Sequence, residues 1–328
     1  MSEWNQSETA VLAAAVSRAP SVHNTQPWRL ELRGREASIL ERTDISLPRH
    51  DLLGRDRLIS CGAALTNLRL AVRRLGWSEH WQQFPDSGRP NEIGRVCADV
   101  PLAPDDNDLS AYRAIRDRAS HRARFGPEPV PGALVRRLVT PHDLPGVAVQ
   151  VVHSPTATTG LAHVLHHAAL IFRHDRAYQR ELAAWTAHGD GDGLLERGGR
   201  GTLPWTGLVT GDTAVPDEHV LAERLATETH LLVITVGDGR SDHLHAGMAL
   251  EQVWLAATAA GLGASVITQP LHLPEVRAGL IERLDLAGYP QALLRVGMPT
   301  EVPEHSPRRS FADLLHPPAP TPHPKETV

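Results

Sequence analysis

One stretch of this sequence occurs twice, and that repetition constrains the fold more than any other feature. Residues 62–76 read GAALTNLRLAVRRLG and residues 247–261 read GMALEQVWLAATAAG. Aligned without a gap, they share both bracketing glycines, Ala64/Ala249, Leu65/Leu250, Leu70/Leu255 and Ala71/Ala256. In the first copy Ala64, Leu65, Leu68, Ala71, Val72 and Leu75 fall at helical spacing and form one apolar face. The second copy is apolar over more of its circumference, as a helix buried on several sides requires. A glycine after the last turn suits a helix stop. Two central helices of common pattern imply a duplicated architecture.

The surrounding pattern mixes strands and helices. Val147–Val152, Leu231–Val236, Ala264–Thr268 and Leu293–Val296 are short apolar or β-branched runs that predict strands. Helical spacing is expected over 8–18, 131–139, 158–185 and 217–228. This order implies an α+β fold with helices packed over sheet. The expected organisation is a first copy over 1–98, an acidic linker over 99–110 (DVPLAPDDNDLS) and a second copy over 111–315. The glycine-rich stretch 188–204 is long enough to act as a lid, and the proline-rich tail 316–328 is expected to be disordered.

Composition excludes several functions. A chain of 328 residues, 41% apolar and 22% charged, is that of an ordinary globular protein. Its formal charge of −5 offers nucleic acid and anionic lipid no global attraction. The polar start MSEWNQSETA lacks the pattern of a secretory signal. No stretch suits a membrane span, since Glu251 and Gln252 interrupt 247–267. Two cysteines, Cys61 and Cys97, without a CxxC pair fit reduced core thiols, and the expected compartment is the cytoplasm. Nineteen histidines raise a metal enzyme as a competing reading, with His163, His166 and His167 closest together. That cluster lacks HExxH and a fixed acid, so no metal is expected.

Three segments carry groups suited to a charged heteroaromatic ligand. Residues 19–28, APSVHNTQPW, form a turn-rich loop bearing hydroxyls and amides. Residues 118–125, RASHRARF, place three arginines and a serine together, and 307–310, PRRS, repeat that chemistry near the C-terminus. Arginine forks match phosphate oxygens, although from spacing alone solvated surface charge is the simpler reading.

APSVHNTQPW resembles the flavin-binding loop of the FMN-dependent nitroreductase superfamily, and RASHR and PRRS resemble its two basic motifs. Their order, with ISCGAAL before the first helix, is most similar to the Acg-like subgroup of actinobacterial flavoproteins. The resemblance implies a nitroreductase-like fold in which two degenerate copies form a pseudo-dimer with one composite FMN site. The first copy keeps the loop and the second keeps both basic motifs, so the chain is expected to be a monomer.

By this resemblance Arg118, Ser120, Arg122, Arg308 and Arg309 would hold phosphate and ribityl groups. Pro20, Ser21 and Asn24 would line the isoalloxazine, and Asn67 would contact its polar edge. Gln269, Pro270 and Leu271 occupy the loop from which a backbone amide faces flavin N5 in the family. Proline has no amide to donate, so the residue in that role stays open and no catalytic side chain is assigned. The implied activity is NAD(P)H-dependent, ping-pong reduction of nitro or quinone acceptors, with a small aromatic acceptor as partner. A lidded FMN-sequestering protein, and a flavin-cleaving enzyme or biosynthetic dehydrogenase, remain as alternatives.

Overall fold

The computed structural model of the chain describes residues 3–140, 144–186, 191–194 and 208–315. The first half runs α1 (Gln6–Ser17), β1 (Trp28–Arg33), β2 (Glu36–Glu41), α2 (Arg55–Arg74), β3 (Trp77–Gln83) and β4 (Glu92–Pro101). The second half begins with α3 (Asp106–Asp117), α4 (Gly132–Leu138), β5 (Val147–Val152), α5 (Pro155–His174), α6 (Arg176–Thr186) and α7 (Glu218–Leu225). It continues through β6 (Thr229–Thr235), α8 (Arg240–Ala259), β7 (Gly263–Ile267), α9 (Pro274–Leu284), β8 (Tyr289–Gly297) and α10 (Phe311–Leu315). Each half builds one four-stranded antiparallel sheet, in the orders β1-β2-β4-β3 and β5-β6-β8-β7. The two orders are the same topology repeated.

Helices α2 and α8 pack against each other between the sheets and form the largest interface of the fold. They are equivalent end to end, because a constant offset of 185 (62 to 247) also carries 55 to 240 and 74 to 259. The repeated glycines at 62 and 247 are not helix boundaries. Both helices start seven residues earlier, and these glycines mark the crossing. A Cβ on Gly62 would stand 2.1 Å from the carbonyl oxygen of Leu244, and one on Gly247 would stand 1.9 Å from that of Ile59. Ile59 and Leu244 are themselves equivalent under the offset, so the contact is reciprocal, as in an isologous dimer interface. The closing glycines, Gly76 (φ +85) and Gly261 (φ +77), do stop their helices, as expected.

Two expected boundaries differ. The linker is shorter than 99–110, because β4 runs through Pro101 and α3 begins at Asp106. Its acids are helix-start chemistry: Asp105 accepts from the Asp108 amide in a capping box, and acids in the first turn oppose the helix dipole. The helix expected over 158–185 is two helices. Asp175 takes an extended conformation after α5, and its carboxylate accepts from the amides of Ala177 and Tyr178 to start α6. Cys61 is buried and Cys97 half-buried, both as free thiols. No helix among the described residues is long and apolar enough to cross a membrane. The tail 316–328 and most of the stretch 188–204 lie outside the described residues.

Candidate functional site

The loop between α1 and β1 is a strained turn stitched to the second half. His23, Asn24 and Gln26 all have positive φ (46°, 56° and 49°), uncommon for side-chain-bearing residues and sustained only by surrounding structure. Ser21 Oγ accepts from the Gln26 amide at 2.9 Å, and Ser60 Oγ on α2 accepts from the Val22 amide at 3.1 Å. The rest of the support comes from far along the chain. Asn24 Nδ2 donates to the Pro307 and Gly193 carbonyls, and Arg308 donates to Asn24 Oδ1 at 2.8 Å. Gln26 donates to the Gly191 carbonyl and accepts from the Arg309 amide. The C-terminal arm thus closes over the first half, ending in α10 against α1 and β1.

Behind this loop lies a cleft. Its floor is the helix pair, with Ile59, Ser60 and Ala63 from α2 and Leu250 and Trp254 from α8. Pro20, Ser21 and His23 form one wall, and Ser265, Val266 and Thr268 form another. Ser120 and Arg122 stand at its end, where a bridge from Ser120 to Ala264 and the bond from the His121 amide to the Ala264 carbonyl dock their loop on β7. Leu194 and Leu208 also line the cleft.

A polar pocket adjoins it, sharing Pro20, Ser21, Ser120, Arg122 and Leu194 and adding Asn24, Arg118, Ser306 and Arg308. Its cations crowd one another. Burial lowers Arg308 to about 9, and the neighbouring Arg118 and Arg18 push the same way. Arg118 is also lowered by burial; Glu251 opposes that shift from 3.5 Å, and Trp254 stacks 4.6 Å from its guanidinium. The Nε atoms of Arg118 and Arg308 have no hydrogen-bond partner among the described residues. Glu251 is fully buried, which raises its carboxyl to about 7 despite Arg118 and Asn67 beside it. Crowded, partly desolvated guanidinium groups of this kind are chemically suited to an anion.

The structure therefore brings Pro20, Ser21, Ser120 and Arg122 to the cleft and Asn24, Arg118 and Arg308 to its polar end. It places the other expected residues elsewhere. Asn67 is fully buried on α2, donates to the Ala15 carbonyl and lines neither cavity, because it faces α1 and Glu251. Arg309 turns away to pair with Asp192. Gln269 is buried behind the cleft, bonded to Tyr178 and to the Val209 amide, while Pro270 and Leu271 pack into the core. Arg55 donates to the Leu271 carbonyl. Thr268, one residue earlier, is the part of that loop that reaches the cleft.

Sequence reasoning missed Trp254, Glu251 and the His50–Asp56 pair. Trp254 and Glu251 sit on a helix read only as core, although a tryptophan and a glutamate there were a visible signal. His50 lies in the loop before α2 and Asp56 in the first turn of α2, neither within a motif, and they meet His272 only through folding: both imidazole Nε2 atoms approach Asp56 Oδ2, at 3.3 and 3.0 Å. These three are the group of potential metal ligands among the described residues. His163 and His167 instead pair with Glu218 and Glu275 on exposed surface.

This chain belongs to the nitroreductase family, whose profile matches residues 115–298. A Mycobacterium tuberculosis protein named "Putative NAD(P)H nitroreductase" is 32% identical over 292 residues, covering 88% of this chain and 83% of the relative. Another from that organism, "Putative NAD(P)H nitroreductase acg", is 28% identical over 330 residues, covering 94% and 96%. These likenesses agree with the Acg-like resemblance of the motifs. Among solved structures, a nitroreductase-named protein from Desulfovibrio desulfuricans in complex with FMN is 21% identical, with a TM-score of 0.38, covering 63% of this chain and 95% of its own. Iodotyrosine deiodinase bound to FMN and 3-iodo-L-tyrosine is 16% identical, with a TM-score of 0.42, covering 61% and 95%.

Proposed function

We propose that this chain binds one FMN and acts as an NAD(P)H-dependent oxidoreductase toward nitro- or quinone-type acceptors. The observation that carries the reading is the join of a cleft floored by Ile59, Leu250 and Trp254 to a polar pocket lined by Arg118, Arg122 and Arg308. An aromatic ring system with an anionic tail has the same division. Arg118, Arg122 and Arg308 would hold the phosphate and Ser120 the ribityl chain. The ring would lie between Pro20 and Ser21 on one side and the α2–α8 floor on the other. When bound, the flavin supplies two-electron hydride chemistry. The chain binds and orients it, excludes water with Ile59, Leu250 and Trp254, and offers one face on which nicotinamide and acceptor alternate in ping-pong order.

Both halves contribute to this single site, so we read the chain as a monomer that reproduces a symmetric dimer. The decisive experiment is steady-state NAD(P)H oxidation by flavin-loaded protein with a nitroaromatic or quinone, compared with free FMN. Turnover above free FMN supports the reductase; turnover below it rejects the reading. A storage role is the second reading. It is favoured by the pins on residues 191–193, whose Gly191 and Gly193 carbonyls accept from Gln26 and Asn24 and whose Asp192 pairs with Arg309, next to the cleft. Tight FMN retention without turnover would select it.

A further inference from the structure

We propose that His50, oriented by Asp56, is the proton donor of the cleft, giving a proton to the oxygen of an acceptor bound there. The inference rests on the oxidoreductase reading and extends it to a side chain. His50 is 3% exposed, lies between β2 and α2, and lines the cleft beside His23. Asp56 Oδ2 faces His50 Nε2 at 3.3 Å and His272 Nε2 at 3.0 Å, and Asp56 Oδ1 accepts from Arg55 Nε and a terminal nitrogen at 3.3 and 3.1 Å. Burial alone would raise this carboxyl, but His272, Arg55 and the imidazole bonds outweigh it and hold it well below the usual carboxylate range.

An ionised carboxylate only accepts hydrogen bonds, so His50 must carry its hydrogen on Nε2. Its Nδ1 then holds the lone pair. That atom is buried and has no hydrogen-bond partner among the described residues. An unpartnered buried nitrogen is costly, and here it belongs to a ring at a cleft wall with a carboxylate behind it. That is the arrangement by which an acid orients a catalytic imidazole.

The other groups facing His50 are His23, edge-on at 4.3 Å, His272 at 4.6 Å and Tyr178 at 5.9 Å. Asp51 and Arg55 are also near, Glu181 accepts from the His50 amide, and Arg122 lies by His23. Arg55 argues against a metal in this cluster. Its terminal nitrogen stands 3.4 Å from His272 Nε2 and 3.1 Å from Asp56 Oδ1, so a fixed positive charge already occupies the place of a cation.

A quinone that gained a hydride, two electrons and one proton, would be left as a hydroquinone monoanion whose second oxygen lacks one proton. The Nδ1–H of protonated His50 supplies it, the imidazole becomes neutral, and solvent restores its proton. Burial lowers His50 below its ordinary value against the Asp56 hydrogen bond. The step therefore accelerates as pH falls toward that lowered value, and an anion forming beside the ring draws the proton across.

The first test needs neither variant nor turnover. Histidine ¹⁵N NMR of the wild-type protein should show His50 in the Nε2–H tautomer with an unprotonated Nδ1, and an Nδ1–H tautomer overturns the proposal. In the second, flavin-loaded protein is reduced with dithionite and mixed with a quinone across pH. His50→Gln should slow reoxidation on the order of 100-fold and flatten its rise toward low pH. Reoxidation by ferricyanide, which takes electrons without a proton, should match wild type. A variant equal to wild type with quinone at every pH sinks the inference, as does stoichiometric zinc binding that His50→Gln abolishes. Dithionite supplies the electrons, so a failure of NAD(P)H to react would reject the reductase reading and leave this result intact.

Discussion

The cleft has a counterpart across the α2–α8 pair, and the two places are built differently from equivalent positions. Under the offset of 185, Ser60 corresponds to His245, Ala63 to Met248, Val266 to Trp81 and Trp254 to Arg69. Every small cleft residue in this set has a larger partner on the other side. There the Trp81 ring meets His245 edge-on at 5.9 Å, and the Arg69 guanidinium stands 5.4 Å over that tryptophan. Ser241, the equivalent of Asp56, donates to Gln83 instead of gathering histidines. Met248 is fully buried. On that side Arg69 and Arg73 pair with Glu79, and together with Arg137 they line a separate cavity between the C-terminal halves of α2 and α8. A symmetric frame therefore does not require two symmetric sites. Larger side chains at these positions bury more apolar surface on that side, while the smaller ones leave a cleft on the other.

The largest effect expected in testing this comparison falls on what the sides share. Gly62→Ala or Gly247→Ala puts a methyl against a facing carbonyl on a rigid helix, and each should cost about 3 kcal/mol or prevent folding, read by urea denaturation. Equal losses at both glycines would sharpen the symmetry, and a neutral result at either would break it.

Next come the arginines. Removing Arg118 and Arg308 together should weaken FMN binding by at least about 100-fold, since charge-assisted hydrogen bonds carry roughly 1.5–3 kcal/mol each. Arg69→Ala on the filled side should leave affinity unchanged. Fluorescence titration separates the two, and similar losses would remove the distinction between the sides.

A third change converts one side into the other. Ala63→Met copies the filled position into the cleft floor and should drop the flavin content of a folded chain from about one per chain toward zero, by absorbance of released flavin.

The smallest effect is electrostatic. Glu251 has Thr66 as its equivalent, and its carboxyl is raised from the ordinary 4.5 to about 7. In that window the folded chain holds a proton the unfolded chain has lost, so stability falls as pH rises from 4.5 through 7. Glu251→Gln should flatten that decline in a Tm-against-pH profile, and an unchanged slope would show that the carboxylate is compensated elsewhere.

Much of the frame was legible beforehand. The repeat located both central helices, the apolar runs located most strands, and the motif order anticipated that loop and arginines from opposite halves would meet. The misses share a cause. Asn67 and Arg309 carry suitable chemistry, but which way a side chain faces depends on neighbours: α1 and Glu251 claim the first, Asp192 the second. The acids at 105–108 read as linker because capping and solvation use the same residues.

What the sequence determined by itself is periodic and local: helix faces at 3.6-residue spacing, glycine stops, turn-forming loops and the clustering of arginines. Those follow from backbone sterics and side-chain chemistry within a few residues. Tertiary structure alone decided that Gly62 and Gly247 are points of contact, that His50, Asp56 and His272 converge from segments over 200 residues apart, and that positions equivalent across the helix pair line a cleft on one side and pack Trp81 against His245 on the other. Contact and burial depend on the volumes of side chains that meet only after folding, and no local pattern encodes that sum.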